Sequence, residues 1–341
     1  MLDPAAIKKI LVINLAYLGD VILSTPAVRA LKAAYPGGEI DMLVIPSTAP
    51  VANGNPYIRR VIVYDKRGRH RNLLRLWELI KQLRAEKYDL AVAMNFALRS
   101  SLMAWATGAK YRLGYDAQHA APFLTHVASS SRAAVRHETE NYLALLEPLG
   151  IITEDTSLTF RVNQEAVVAM RSKVKLTSAR PAVAVCPYGR HPLNSWTDQG
   201  YAELIKYFSQ DGDCYLIGGQ AEKESLEKLN ALSGGAATVL AGTLSISELA
   251  ALLQAVDLLI SVDTGPLHIA GAVGTPILGL FGRSDFRVWG PKGVNSKVLC
   301  TQPPCWPCYQ RECDHHDCMG KLGPAEVIAT AVAMLKDRDV S

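Results

Sequence analysis

Leu258-Leu259-Ile260-Ser261-Val262, running into Asp263-Thr264-Gly265-Pro266-Leu267-His268-Ile269-Ala270, is the stretch on which the fold turns. A short apolar run stops at an acid, and a Thr-Gly-Pro corner opens a helix. Thr264 or Gly265 can cap it, and Pro266 suits the first helical position, where its missing N–H costs nothing. Gly274 ends the helix, and Ile277-Leu278-Gly279-Leu280-Phe281 begins another buried strand. The amides at such a helix start are unpaired and carry partial positive charge, so the corner suits an anion, most often a phosphate. An ordinary strand-to-helix turn would show the same cap and proline. The rest of the chain has to separate the two.

Outward from that corner the same pattern recurs. Ala182-Val183-Ala184-Val185-Cys186, entered through Arg180-Pro181, leads to a Pro187-Tyr188-Gly189 loop. Cys214-Tyr215-Leu216-Ile217 ends in Gly218-Gly219, and Ala237-Thr238-Val239-Leu240 ends in Ala241-Gly242. With 258–262 and 277–281, these strands complete the second half. In the first half the strands are Ile10–Ile13, Ile40–Ile45, Val61–Tyr64 and Leu90–Met94. Between them a helix over Ala27–Tyr35 is preceded by Thr25-Pro26, which can cap it or kink one begun at Asp20. A second helix over 73–87 places Leu73, Leu76, Trp77, Ile80 and Leu83 on one stripe. Strands alternating with helices predict an α/β fold, two doubly wound parallel sheets with a boundary near 155–178. Ligands of such sheets sit beyond the carboxyl ends of the strands, here in a cleft between the halves. Pro324 to Leu335 reads as a last amphipathic helix.

The chain's 341 residues accommodate two domains, each with its own core. A formal charge of +4 permits an acidic membrane surface or a phosphorylated ligand without requiring either. No apolar run approaches the ~20 residues of a membrane span, and no signal sequence precedes the first strand, which points to the cytoplasm. Five of the seven cysteines lie between Cys300 and Cys318, so no chain-wide disulfide framework is implied.

Several residues could carry chemistry. Asp20 follows Gly19 at the first strand-to-helix turn. It reads either as a capping aspartate or as a general base facing an acceptor hydroxyl. Gly218-Gly219 ends a strand, with Glu222 in the first turn beyond it. An acid there is favoured by the helix dipole, and it is also a good acceptor for two ribose hydroxyls. There is no G-x-G-x-x-G after the first strand and no P-loop, which argues against a nicotinamide oxidoreductase and a P-loop enzyme. Lys66-Arg67-Gly68-Arg69-His70-Arg71, with Arg75, is the densest positive charge. It reads as a solvated loop or a contact with anionic lipid or a phosphorylated acceptor. Cys305, Cys308, Cys313 and Cys318, with His315 and His316 between, open with zinc-ligand spacing. The later spacings fit no standard finger, so reduced packing thiols compete with a structural metal. No catalytic metal is suggested, and nucleic-acid binding lacks a recognition helix.

Taken together, these motifs resemble glycosyltransferase family 9, the ADP-heptose:lipopolysaccharide heptosyltransferases. The resemblance is carried by Ile10–Ile13 with Leu18-Gly19-Asp20-Val21 and Thr25-Pro26, Gly218-Gly219 with Glu222, and Ala241-Gly242-Thr243 with Leu249. Asp263-Thr264-Gly265-Pro266-Leu267-His268 and the four-cysteine tail closing on Pro324 complete it, so that it runs from about residue 8 to 337. It implies a GT-B fold of two Rossmann-like domains. Residues 1–165 would bind the acceptor and 166–322 the nucleotide sugar, with a helix over 323–341 packing back on the first domain. It implies Asp20 as catalytic base and Glu222 as ribose-binding acid. Gly19, Asn194, Gly219, Asp263, Thr264, Gly265 and His268 would complete the nucleotide-sugar site, and the loop Gly242 to Leu244 would run close to the base. Two positions depart from the family: Asn14 and Asn194 stand where Arg or Lys, and Lys, are usual, with Arg190 or His191 as candidate replacements for the lost charge.

The expected function is inverting transfer of a heptose or related sugar to a lipopolysaccharide core or related glycolipid acceptor. The donor would be a nucleotide-diphosphate sugar, ADP-heptose by resemblance. No cofactor, no nucleic-acid partner and a peripheral contact with the inner membrane are expected. The competing expectation is a sugar-nucleotide-binding or assembly protein with lost or altered catalysis. Loops 46–58 and 112–137 would shape the acceptor side.

Overall fold

A computed structural model describes residues 2–130, 135–177, 181–308 and 310–338. Residues 131–134 of the expected 112–137 loop, Arg180 of the Arg180-Pro181 lead, residues 178–180 of the boundary region and 339–341 of the terminal segment lie outside the described residues. The chain divides into two units, Met1–Arg161 and Val162–Ser341.

The first unit holds β1 (Lys9–Asn14), β2 (Glu39–Val44), β3 (Ile58–Val63), β4 (Leu90–Ala93), β5 (Tyr111–Tyr115) and β6 (His126–Ala128). The second holds β7 (Ala182–Cys186), β8 (Asp213–Leu216), β9 (Thr238–Val239), β10 (Leu258–Val262), β11 (Ile277–Leu280) and β12 (Ser296–Leu299). Their orders are β3-β2-β1-β4-β5-β6 and β12-β11-β10-β7-β8-β9, the same doubly wound order in both units. All pairings are parallel, in register such as Ile10↔Ile40 and Ile10↔Leu90 for β1, and Ile260↔Val185 and Ile260↔Leu278 for β10. Strands covered on both faces are near-continuous apolar runs, as β1, β4, β7 and β10 are but for Lys9, Asn14 and Ser261. In β7 and β10 every residue is buried.

β5, β6 and β12 are strands without a clear apolar signal in the sequence. Tyr111-Arg112-Leu113-Gly114-Tyr115 and Ser296-Lys297-Val298-Leu299 mix exposed and buried residues, and His126–Ala128 is short. They lie towards the margins of their sheets, where half the surface meets water and the apolar signal weakens. Thr25-Pro26 resolves as a break. One helix spans Leu18–Leu23, a second spans Thr25–Ala34, and the Thr25 hydroxyl donates to the Ile22 carbonyl at 2.6 Å across the joint.

The 73–87 stripe also needs correction. The helix is Leu73–Ala85, and its core-facing residues are Leu79 and Leu83, with Leu76 packed against the same cluster. Leu73, Leu74 and Trp77 are 80%, 73% and 61% exposed. The covered face is the one that joins the cluster of Tyr64, Tyr88, Ala91 and Met103, and it is rotated from the one that sequence periodicity selected.

The terminal helix Pro324–Arg338 packs on the helix Asp198–Phe208 of its own unit. Val327, Ala331 and Met334 join the second unit's core with Tyr201, Ile205 and Trp196. No helix among the described residues is long and apolar enough to cross a membrane.

Candidate functional site

In the first unit the carboxyl ends of β1 and β4 lie side by side, at the point where strand order reverses. Asn14, the last residue of β1, is wholly buried, and its amide organises the corner. Its Nδ2 donates to the Asp20 carbonyl at 3.3 Å and to Ser24 Oγ at 3.1 Å. Its Oδ1 accepts from the Ala16 N–H at 3.2 Å and from Asn95 Nδ2 at 3.1 Å. Asn95, just past β4, accepts the Leu15 N–H at 2.7 Å. An arginine or lysine at position 14 could donate but not accept, so it could not make this set of hydrogen bonds.

Asp20 sits half-buried in the first turn of Leu18–Leu23. One carboxylate oxygen accepts the Tyr17 N–H at 3.2 Å, and the other accepts the Tyr142 hydroxyl at 3.3 Å. The contact with the Tyr17 amide is the capping interaction, and the Tyr142 hydroxyl holds the second oxygen. Burial, and then the charge of Asp20, push the Tyr142 phenol well above its ordinary pKa, so it remains a donor. Tyr142 and Asn95 were not foreseen. Asn95 had a signal, a polar residue directly after an apolar strand, whereas Tyr142 reaches Asp20 from a distant helix.

In the second unit the corresponding reversal lies between β7 and β10. Thr264 is the N-cap of the helix Gly265–Val273, but its side chain makes no capping hydrogen bond, and Pro266 is the second helical residue rather than the first. Gly274 closes the helix at φ 84°, a left-handed conformation suited to glycine. His268, one turn in, is buried, and Asp263 is half-buried. The loop after β7 presses on this corner: a Cβ on Gly189 would lie 3.0 Å from the Asp263 carbonyl oxygen and 3.7 Å from Asn194 Cβ.

Asn194 is buried and meets Ser284, beyond β11, at 3.3 Å between Oδ1 and Oγ. Its neighbour Arg283 has a buried Nε with no hydrogen-bond partner among the described residues. His191 is held below the ordinary histidine pKa, first by burial and then by the positive charge of Arg283. Arg283 was not foreseen, because its strand neighbours read only as the end of a buried run. Arg190 is exposed.

The Gly218-Gly219 turn folds under Glu222. A Cβ on Gly219 would come within 2.8 Å of Glu222 Oε2. The carboxylate also reaches the end of β7: burial pushes the Cys186 thiol up to about 12, and the charge of Glu222 adds to the shift. Gly242, at φ 68°, donates its N–H to the Gly218 carbonyl at 3.0 Å, and any Cβ there would strike Gln220. The Gly242–Leu244 loop is thus stacked on the Glu222 turn. Asn194, Gly219, Glu222, Asp263, Thr264, Gly265 and His268 all belong to the loops and helix starts after β7, β8 and β10. Gly19 and Asp20 lie on the first unit.

The cysteine segment has a clear mechanical part. Trp306 Nε1 donates to the Ser284 carbonyl at 3.2 Å, and the Cys308 N–H donates to the Arg283 carbonyl at 2.9 Å. Trp306 stacks on Phe286 at 5.3 Å, and His316 Nε2 lies 3.0 Å from the Leu193 carbonyl. The segment therefore ties the loop carrying Arg283 to the loop carrying Asn194. Cys305, Cys308, Cys313 and Cys318 are free thiols, and no group of three or more His, Cys, Asp or Glu among the described residues is gathered to hold a metal ion.

Comparison with known proteins agrees with this architecture. The sequence pattern of glycosyltransferase family 9 (heptosyltransferase) matches residues 76–318. The chain is 29% identical over 287 residues to lipopolysaccharide heptosyltransferase 3 of Escherichia coli K12, covering 81% of this chain and 83% of that protein. A glycosyl transferase family 9 structure from Veillonella parvula superimposes with a TM-score of 0.85 at 27% identity over 97% of both chains. The E. coli ADP-heptose lps heptosyltransferase II shares the fold, with a TM-score of 0.83 at 22% identity over 97% of this chain and 99% of that one. With two parallel six-stranded sheets of the GT-B type, an Asp-Thr-Gly-Pro-Leu-His corner and a family pattern spanning most of its length, the chain belongs to glycosyltransferase family 9, the heptosyltransferases.

Proposed function

We propose that the protein transfers a heptose from ADP-heptose to a lipopolysaccharide-core or related glycolipid acceptor, with inversion at the anomeric carbon and without a catalytic metal. The observation that carries this reading is the convergence, within the second unit, of the Thr264-Gly265 helix start, Gly189, Asn194 and Ser284, with Arg283 adjoining Ser284 in the chain and its charge felt by His191. A helix start and a cation with an unpartnered Nε suit a diphosphate. Glu222, folded over glycine at the end of β8, is the acceptor for ribose hydroxyls. The donor is inferred by analogy: the E. coli heptosyltransferase II is named for ADP-heptose.

In this mechanism Asp20 takes the proton of an acceptor hydroxyl as that oxygen attacks the anomeric carbon, and the bond to the diphosphate breaks. Tyr142 and the Tyr17 amide hold the carboxylate in one orientation. Charge developing on the departing diphosphate is met by the helix start and by Arg283, which interact more strongly with the transition state than with the bound donor. Arg283 takes the part of the lysine that the family usually carries at position 194. The first unit supplies the base and receives the acceptor, and the second holds the donor.

The competing reading, a sugar-nucleotide-binding or assembly protein without transfer, is favoured by the neutral Asn194. Incubation with ADP-heptose and a heptose-deficient lipid acceptor separates the two. Transfer with inverted product supports the enzyme, and donor binding without product supports the competitor. Chelator-treated protein should retain its rate, and loss restored by one divalent cation would refute the metal-free mechanism.

A further inference from the structure

The first unit leaves apolar side chains where its fold has no use for them. Leu73, Leu74 and Trp77, in the first turns of the helix Leu73–Ala85, are 80%, 73% and 61% exposed. At spacings i, i+1 and i+4 they share the solvent side, opposite Leu76, Leu79 and Leu83. Lys81 follows one turn on, its Nζ 5.3 Å from the Trp77 ring centroid. The loop leading in contributes Lys66, Arg67, Arg69 and Arg71, and Arg75 lies within the first turn.

Asp65 and Glu78 are the carboxylates within this stretch. Asp65 is occupied by the N–H groups of Arg67, Gly68 and Arg69, and Glu78 pairs with Arg75 at 2.9 Å. Arg67, Arg69 and Arg71 are exposed and form no ion pair among the described residues. Cations crowded at a helix N-terminus oppose the helix dipole, and large apolar residues facing water contribute nothing to folding. Two local rules are broken at one place without a gain inside the fold, which points to a partner.

We infer that this face docks on an anionic phospholipid bilayer. Trp77, Leu73 and Leu74 enter the boundary between headgroups and acyl chains, while the flanking arginines and lysines meet lipid phosphates. An amphipathic helix lying in the interface uses this combination of apolar residues with a cationic border. The docking does not depend on which sugar is transferred or on whether transfer occurs.

The test is sedimentation of the full chain with vesicles of phosphatidylglycerol and phosphatidylethanolamine, against vesicles of phosphatidylcholine alone, at low and high salt. The wild type should bind the anionic vesicles and be largely released by salt, since each cation near an anionic surface contributes roughly fivefold to partitioning. A combined Leu73→Ser, Leu74→Ser, Trp77→Ser variant should bind about tenfold more weakly or worse. A combined Arg67→Gln, Arg69→Gln, Arg71→Gln variant should lose the preference for anionic lipid. These residues are exposed, so both variants should keep the wild-type melting temperature, and ADP affinity should be unchanged. In Trp77→Phe the blue shift of tryptophan emission on adding vesicles should be lost. Equal binding by wild type and variants, or no binding of wild type to anionic vesicles, would overturn the inference. So would a concentration-dependent dimer abolished by the same serine substitutions, which would assign the face to a second copy of the chain.

Discussion

At Asp20 one carboxylate oxygen accepts the Tyr17 N–H and the other the Tyr142 hydroxyl, so removing the charge and removing the cap are different experiments. Asp20→Asn keeps an acceptor for the amide but no longer takes a proton. It should lower kcat by about 10²–10⁴ while leaving the Kd for ADP nearly unchanged, measured by steady-state kinetics and calorimetry. A variant with wild-type turnover would exclude Asp20 as the base. Asp20→Ala should in addition lose roughly 1 kcal/mol of stability with the cap. On the donor side, Arg283→Ala should weaken ADP binding by about 2 kcal/mol, roughly thirtyfold in Kd. Asn194→Lys in the Arg283→Ala background should restore much of that loss, because it returns a cation to the adjacent loop. An unchanged Kd in Arg283→Ala would leave the diphosphate to the helix start alone.

Among the elements, β2 poses a problem that β3 solves. Asp41 lies in the middle of β2 and is wholly buried, opposite Arg60 in the register. Arg59 binds it through two nitrogens at 2.9 and 2.8 Å, Arg60 at 2.7 Å and the Tyr88 hydroxyl at 2.7 Å. Burial by itself would raise the Asp41 pKa, but the hydrogen bonds from Arg59, Tyr88 and Arg60 hold it below the ordinary value. Asp41→Asn should therefore cost roughly 2–3 kcal/mol at neutral pH, measured by urea unfolding. Because the folded value is depressed, the stabilisation is present above the unfolded pKa near 3.9 and is lost as pH falls through the folded value. The gap between wild type and Asp41→Asn should begin to narrow below about pH 4 and close once pH passes below the depressed folded value, and a gap that did not narrow in acid would show that packing, not charge, is lost. The strand itself was legible in Ile40–Ile45, but its partners were not, since Arg59, Arg60 and Tyr88 reach Asp41 only through strand pairing. The helix Leu73–Ala85 teaches the same lesson. Its periodicity was legible and its covered face was not.

For the whole molecule, the division between Arg161 and Val162 gives each unit its own doubly wound sheet. If the second unit holds the donor, ADP alone should slow amide hydrogen exchange around 189–194, 263–267 and 283–284. The strands β1 and β4 of the first unit should exchange at unchanged rates. Protection confined to the first unit would invert the assignment of donor and acceptor. ADP at a hundred times its Kd should also stabilise the fold by about 2.7 kcal/mol.

The chain by itself determined the fold class, because parallel strands covered on both faces are predominantly apolar, and the turns between them need the glycines, acids and prolines found at Gly19-Asp20, Gly218-Gly219 and Asp263–Pro266. Those requirements are local, so they are written in consecutive residues. The tertiary structure alone decided which side chains complete each corner: Asn95 on Asn14, Tyr142 on Asp20, Ser284 on Asn194, and Trp306 bracing the loop that bears Arg283. These pairs are separated by long stretches of chain and meet only where the strand order of a sheet brings different loops together. A hydrogen bond between residues far apart in sequence leaves no periodicity to read.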